Sequence, residues 1–275
     1  MPAYPDLPGR AVQGAHWTPS QARTIAADFA RFQASWRRLD VALTTGPAPA
    51  SAAATEVTDQ LGAFAHDQAA SFLRVAVDHL ETWRRVYDGN FRPTYAHFSL
   101  IRTAHESSWS AYWLMEPGAA AATRLERGVA AACDDFDERR KVEDGMGLTS
   151  ATPPAKLAAD RLADVMASAA ARGLTKLNRG QKAILITPMP SIVNLFDLFE
   201  PHPSGRGSNL YRLLSGFAHG KQYAATQGVK RAGPIAGSGH VLGVVTADPL
   251  RAVACTQKAV DAFEKAIDAF ISYRV

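Results

Sequence analysis

Cysteine is nearly missing from this chain of 275 residues: Cys133 and Cys255 are the only two. They have neither metal-ligand nor redox spacing. A disulfide framework is therefore excluded, and a reducing cytoplasm is the expected compartment. Long apolar runs are missing too. No stretch reaches the ~18 apolar residues a membrane-spanning helix needs, so no membrane partner is expected. The opening MPAYPDLPGR lacks a basic segment followed by an apolar one, the pattern of a secretory signal. Glu-x-x-His pairs and His-Glu-x-x-His do not occur. His66, His79, His97 and His105 fall on expected helices without ligand spacing, so no metal or other cofactor is expected. Hydrolase and nucleotide loops are equally lacking. Gly237-Ser238-Gly239 precedes an apolar β-like run instead of following a strand and opening a helix, and it reads as a turn.

What remains is a globular composition. The chain is 47% hydrophobic and 20% charged, which excludes global disorder. At this length about 70–75% of the unfolded surface can be buried, so a large core needs no staples. Apolar periodicity then gives mostly helices. Thr18-Pro19-Ser20-Gln21 combines a cap, a first-turn proline and a capping-box partner, opening a helix to about Thr44. Ile25, Phe29, Phe32, Trp36 and Leu39 form its apolar stripe. Further helices are expected from about Thr55 to Asp88, from Pro93 to Glu116, from Ala119 to Val142, and from Pro153 to Gly173. Ala183–Ile186 is a short strand or a buried turn. Short helices follow over 191–199 and 208–224. Gly228 to Gly243 is a glycine-rich connection, Val241 to Thr246 a candidate strand, and Asp248-Pro249 opens the last helix, to about Tyr273. The expected fold is all-α: an antiparallel bundle of long helices with minor β structure in the C-terminal half. Residues 1–17 form an N-terminal extension. Residues 18–275 form one helical domain, with 145–152 as the alternative boundary.

Charge is unevenly spread. The net charge is +4, with arginine far outnumbering lysine. Between Arg172 and Arg231 nine basic residues face only Asp197 and Glu200. A local basic block attracts an anionic partner, RNA among them, although a solvated face would look the same. Within it lies Gly205-Arg206-Gly207-Ser208-Asn209-Leu210-Tyr211-Arg212-Leu213-Leu214-Ser215-Gly216-Phe217-Ala218-His219-Gly220. On one continuous helix Asn209, Arg212, Ser215 and His219 share a face. Arg212 and His219 would sit about 10 Å apart along the axis, far enough to grip one phosphodiester from two points. Arg206, Ser208 and Asn209 open the helix, where free amides suit an anion. The alternative reading is a buried polar network joining helices.

A second cluster is Arg102-Thr103-Ala104-His105-Glu106, followed by Trp109 and Trp113. Arg102 and Glu106 are spaced to pair on a helix. On an otherwise apolar segment they are either a core ion pair or part of the cleft that holds His219, with Glu106 orienting its ring.

Arg212, six residues and His219, late in a helical chain, resemble the Arg-x4–6-His signature of the HEPN superfamily. The resemblance covers one helix. It implies a four- or five-helix bundle, metal-independent ribonuclease activity and a composite site across a homodimer. His219 would move a proton at the ribose 2′-hydroxyl or the leaving oxygen, and Arg212 would stabilise the phosphorane charge. Leu213 departs from the family, in which a polar residue commonly follows the arginine. Tyr211 to His219 is also similar to the Tyr-x-x-Leu-Ser-x-x-x-His helix of bacterial helical families with no established activity. Three functions are thus expected alternatives: a HEPN-like protein binding an anionic partner through Arg206, Ser208, Asn209 and Ser215; an endoribonuclease using Arg212 and His219; or a bundle enzyme with Arg102, Glu106 and Trp109 around a small molecule.

Overall fold

The computed structural model describes residues 17–89, 93, 95–147, 157–201, 206–225, 229–234, 241–245 and 248–275. It is an all-α architecture of packed helices with two small hairpins. Helix α1 (Pro19–Thr45) opens on the expected capping box. Thr18 accepts from the Gln21 amide at 3.2 Å, and the Gln21 side chain accepts from the Thr18 amide at 2.9 Å. Ile25, Phe29, Phe32 and Leu39 are buried as the stripe predicts, with Trp36 packed at their margin.

The expected helix over 55–88 is instead two. Helix α2 (Ala52–Glu56) ends at Val57, and α3 (Gln60–Asp88) restarts with Asp59 accepting from the Gly62 amide at 3.2 Å. The backbone folds back so tightly there that a Cβ on Gly62 would lie 2.4 Å from the Glu56 carbonyl oxygen. Helix α4 (Ala96–Leu114) follows, then α5 (Ala121–Gly145) and α6 (Ala158–Ala171). Most of the alternative boundary at 145–152, and the expected start of α6 at Pro153, lie outside the described residues, as does the extension before Trp17.

Strand β1 (Thr175–Leu177) pairs antiparallel with β2 (Ala183–Leu185), so Ala183–Leu185 is a strand and not a turn. Helix α7 (Ile192–Phe199) is capped by Ser191. Helix α8 (Ser208–Ala218) and α9 (Gln222–Ala225) replace the single helix expected over 208–224. The glycine-rich connection contains a strand, β3 (Val229–Pro234), paired antiparallel with the expected strand β4 (Val241–Val245). Helix α10 (Pro249–Arg274) starts on the Asp248 cap, which accepts from the Arg251 amide at 3.2 Å.

Helix α4 is the centre of the packing and is flanked by α3, α10, α8 and α7. Ile101, Ala104, His105, Ser108, Trp109 and Ala111 are all enclosed. Two of its serines turn their hydroxyls back onto its own carbonyls, Ser108 to Ala104 at 2.7 Å and Ser110 to Glu106 at 3.0 Å, so these two need no other partner. Helix α10 closes the bundle. Trp83 of α3 donates to Thr256 at 3.0 Å, and Arg31 of α1 donates to Asp261 at 2.7 Å. Glu56 of α2 accepts from Arg124 of α5 at 2.5 Å and from Tyr273 of α10 at 3.0 Å. Helices α5 and α6 enclose a smaller cluster around Val129, Cys133, Val165 and Ala169.

Candidate functional site

Because α4 is enclosed on most sides, only a narrow stripe of it stays in partial contact with solvent, and Arg102 and Glu106 lie on that stripe. Helix α8 packs beside it through Phe217, whose ring stacks on Phe98 at 4.2 Å. The pairing fills the space between the two helices with aromatic carbon. It brings the C-terminal end of α8 to the Arg102 turn of α4.

The end of α8 is set by Gly220. At φ +60 it takes the left-handed conformation that a side-chain-bearing residue resists, and the Lys221 amide donates back to Gly216 at 2.8 Å. The helix therefore stops at Ala218, and His219 is its C-cap. Tyr223 folds back so that its hydroxyl donates to the Arg212 carbonyl at 2.7 Å. A Cβ on Gly216 would lie 2.5 Å from the Tyr223 hydroxyl oxygen, so a larger residue there must displace the returning side chain. His219 is exposed at the turn, and not enclosed in a helix–helix network.

Two clusters more than a hundred residues apart in sequence thus become one. Arg102 Nη1 lies 3.3 Å from His219 Nε2. A guanidinium only donates, so in this contact the imidazole accepts through Nε2. Arg102 Nε donates to Glu106 at 2.5 Å, and Nη2 to the Tyr211 hydroxyl at 3.4 Å. The guanidinium also lies over the Tyr211 ring, 5.2 Å from its centroid. Glu106 therefore holds Arg102, and Arg102, not Glu106, meets His219. Both terminal nitrogens of Arg102 keep donor capacity for a further acceptor.

Arg212 stands apart from this pair. It is exposed on the next turns of α8, and with Arg206 it faces Asp197 of α7, which both help to hold below the usual carboxylate range. The principal cause of that lowering is the Ser208 amide, which donates to Asp197 at 2.9 Å. The first amide of α8 is thus already met by a carboxylate of the chain itself. Ser208 is buried in that contact. Asn209 is exposed and Ser215 half-buried. Gly207 is held so closely that a Cβ would lie 2.1 Å from the Phe196 carbonyl oxygen, which fixes where α8 begins.

His105 turns away from the cluster. It is enclosed, with Nε2 at 2.9 Å from Glu200, and Glu200 pairs on its other oxygen with Lys258 of α10 at 2.9 Å. Burial pushes the Glu200 carboxyl up, yet His105 and Lys258 together outweigh burial and leave it below its usual range. Trp109 walls a cavity of about 400 Å³ with Glu200, Lys258 and Lys265, and Arg102 and Glu106 are not among its lining residues. Trp109 thus lines a different cavity from the Arg102–Glu106 pair among the described residues. The basic block is dispersed as well. Arg172 is neutralised by Asp59 at 2.7 Å, while Lys176, Arg179 and Lys182 are exposed on the β1–β2 hairpin. The thiols are buried: Cys133 is pushed up to about 11 and Cys255 to about 12, so neither supplies a nucleophile near neutrality. Among the described residues no His/Cys/Asp/Glu group could hold a metal ion, and no helix is long and apolar enough to cross a membrane.

Sequence reasoning passed over Tyr211 as a site residue, although it stands beside Arg212. An aromatic ring one position from a helical arginine is the available signal. The pairing of Arg102 with His219 had none, since no periodicity connects residues on different helices. Comparison with protein-family models, curated proteins and solved structures gives no match.

Proposed function

We propose that this is a HEPN-like helical protein that binds an anionic partner, RNA in particular, where α4 meets the C-terminal turn of α8. The observation that carries the reading is the surface contact of Arg102 with His219 at 3.3 Å. A guanidinium already oriented by Glu106 and Tyr211 loses little freedom on meeting a phosphate, and its planar fork matches phosphate oxygens. Tyr211 offers its hydroxyl beside it, suited to the sugar–phosphate of single-stranded RNA. Arg212 on α8 and Arg206 just before it add positive charge nearby. The test is binding of single-stranded RNA at graded salt. Arg102→Met is expected to weaken binding about ten-fold or more and to lower the salt slope by about one. Unchanged affinity in that variant, with its thermal stability retained, rejects the reading.

The same contact favours a second reading, metal-independent RNA cleavage. An exposed imidazole beside a guanidinium can exchange a proton at the 2′-hydroxyl while the cation meets the phosphorane charge. Arg102 is then the guanidinium within reach of His219 in one subunit, and Arg212 acts across a homodimer. Incubation with a mixed RNA pool in the presence of chelator decides. Products ending in 2′,3′-cyclic phosphate, lost in His219→Ala, support cleavage. Intact RNA, or cleavage that survives the substitution, leaves binding alone.

A further inference from the structure

A groove of about 740 Å³ lies where the C-terminal ends of α1 and α10 meet the Gly46–Pro49 connection. Val41, Pro47, Pro49 and Ile271 make it apolar, and its size falls within the range of small-molecule sites. Three arginines border it: Arg37, Arg38 and Arg274. Arg38 is neutralised by Asp268 at 2.7 Å. Arg37 has no carboxylate partner among the described residues.

Arg274 is the unusual member. It is only 5% exposed, and among the described residues no carboxylate pairs with it. Nη2 donates to the Ala42 carbonyl at 2.6 Å, Nη1 meets His66 Nε2, and Nε has no acceptor among the described residues. Its guanidinium lies over the Phe270 ring at 5.2 Å. Asp67 is linked to it only through the His66 ring, whose Nδ1 lies 3.1 Å from the exposed Asp67 carboxylate. A buried cation normally has an anion beside it, because desolvation alone is costly. Two helix C-termini supply partial negative charge here, but such a dipole end is a weak substitute for a full counter-charge.

We propose that this groove binds a single-chain carboxylate amphiphile, a fatty acid, with its alkyl chain along the Val41, Pro47 and Ile271 walls and its carboxylate at Arg37 and Arg274. A singly charged, planar head suits the guanidinium forks. A doubly charged phosphate is less suited, because Arg38 is already neutralised and both helix ends oppose extra negative charge. The walls are in place beforehand: the Ala48 amide donates to the Arg274 carbonyl at 2.8 Å, which fixes the connection against α10.

The experiment is calorimetric titration of the full chain with decanoate, with decanol as the uncharged control. Decanoate saturates at one per chain, and decanol binds at least about ten-fold more weakly, the size expected for losing a charge-assisted hydrogen bond. Val41→Trp, at a position 59% exposed where the fold tolerates bulk, blocks decanoate, and Arg37→Met weakens it. No saturable binding at millimolar decanoate overturns the proposal. So does equal affinity for decanol, or binding that Val41→Trp leaves unchanged. A concentration-dependent dimer that Val41→Trp dissociates, with no decanoate bound, assigns the groove to a second copy instead. None of these outcomes depends on whether RNA binds at Arg102.

Discussion

Single side chains in this protein derive their character from what encloses them. His97 is buried on α4 against Trp83, their rings 4.9 Å apart and nearly parallel. Burial pushes its imidazole down to about 4 from an ordinary 6.5, with the Pro93 backbone opposing in part. The unfolded chain therefore binds a proton across that window that the folded chain refuses. The contribution is complete above pH 6.5 and is lost as pH falls towards 4, by up to about 1.4 kcal/mol per pH unit. Replacing His97 with Phe is expected to flatten the pH dependence of urea unfolding across this range; an unaltered slope would contradict the assignment. Glu200 behaves similarly for the opposite charge. Its carboxyl is held below the usual range, so its contribution is present above that range and disappears as acid titrates it in the folded state. Glu200→Gln is expected to cost about 1–3 kcal/mol at neutral pH. The deficit should narrow in acid, read from paired denaturation curves at both pH values. At this scale the sequence identified Arg102, Glu106 and His219 as residues worth attention. It did not distinguish His105, which is sealed against Glu200, from its neighbour Glu106, which reaches the surface. Adjacent residues on a helix point about 100° apart, and only the packing of α7 and α10 decides which of them is covered.

Elements are positioned by small residues at a few close approaches. Helices α3 and α5 touch at Gly128, where a Cβ would lie 2.5 Å from the Ala65 backbone nitrogen. Gly128→Ala must push the two helices apart and is expected to destabilise by about 1–3 kcal/mol, measured by chemical unfolding. A neutral effect would mean the helices do not pack at this distance. Gly220 acts through conformation instead. Its left-handed φ ends α8 and presents His219, and nothing crowds its Cα. Gly220→Ala is expected to cost about 1–2 kcal/mol and to reduce RNA affinity by moving His219 off Arg102. If the cost appears and binding is unchanged, the C-cap position of His219 is irrelevant to RNA. Helix starts were legible from Thr18, Ser191 and Asp248, because capping is a local competition for a few amide hydrogens. The division of 208–224 into α8 and α9 was not. It depends on Tyr223 folding onto Arg212 and on a glycine conformation that sequence permits without requiring.

For the whole molecule, α10 is the element that completes the core. It packs on α1, α2, α3 and α4 and buries Val260, Phe263, Ile267 and Phe270 among them. A chain ending at Asp248 leaves the apolar faces of α1 and α4 open to water, and is expected to lose its cooperative thermal transition; a sharp transition in that fragment would show that the remaining helices form a core alone. The all-α class, the long helices and the apolar stripe of α1 follow from the sequence by itself, because periodicity and capping are read within a few residues of each other. The assembly of Arg102, Tyr211 and His219, the His105–Glu200–Lys258 chain and the arginine-bordered groove at the end of α10 were decided only by tertiary structure. Each joins residues from helices far apart in the chain, and their meeting depends on how the aromatic surfaces of α4, α8 and α10 pack, a property that no single segment carries.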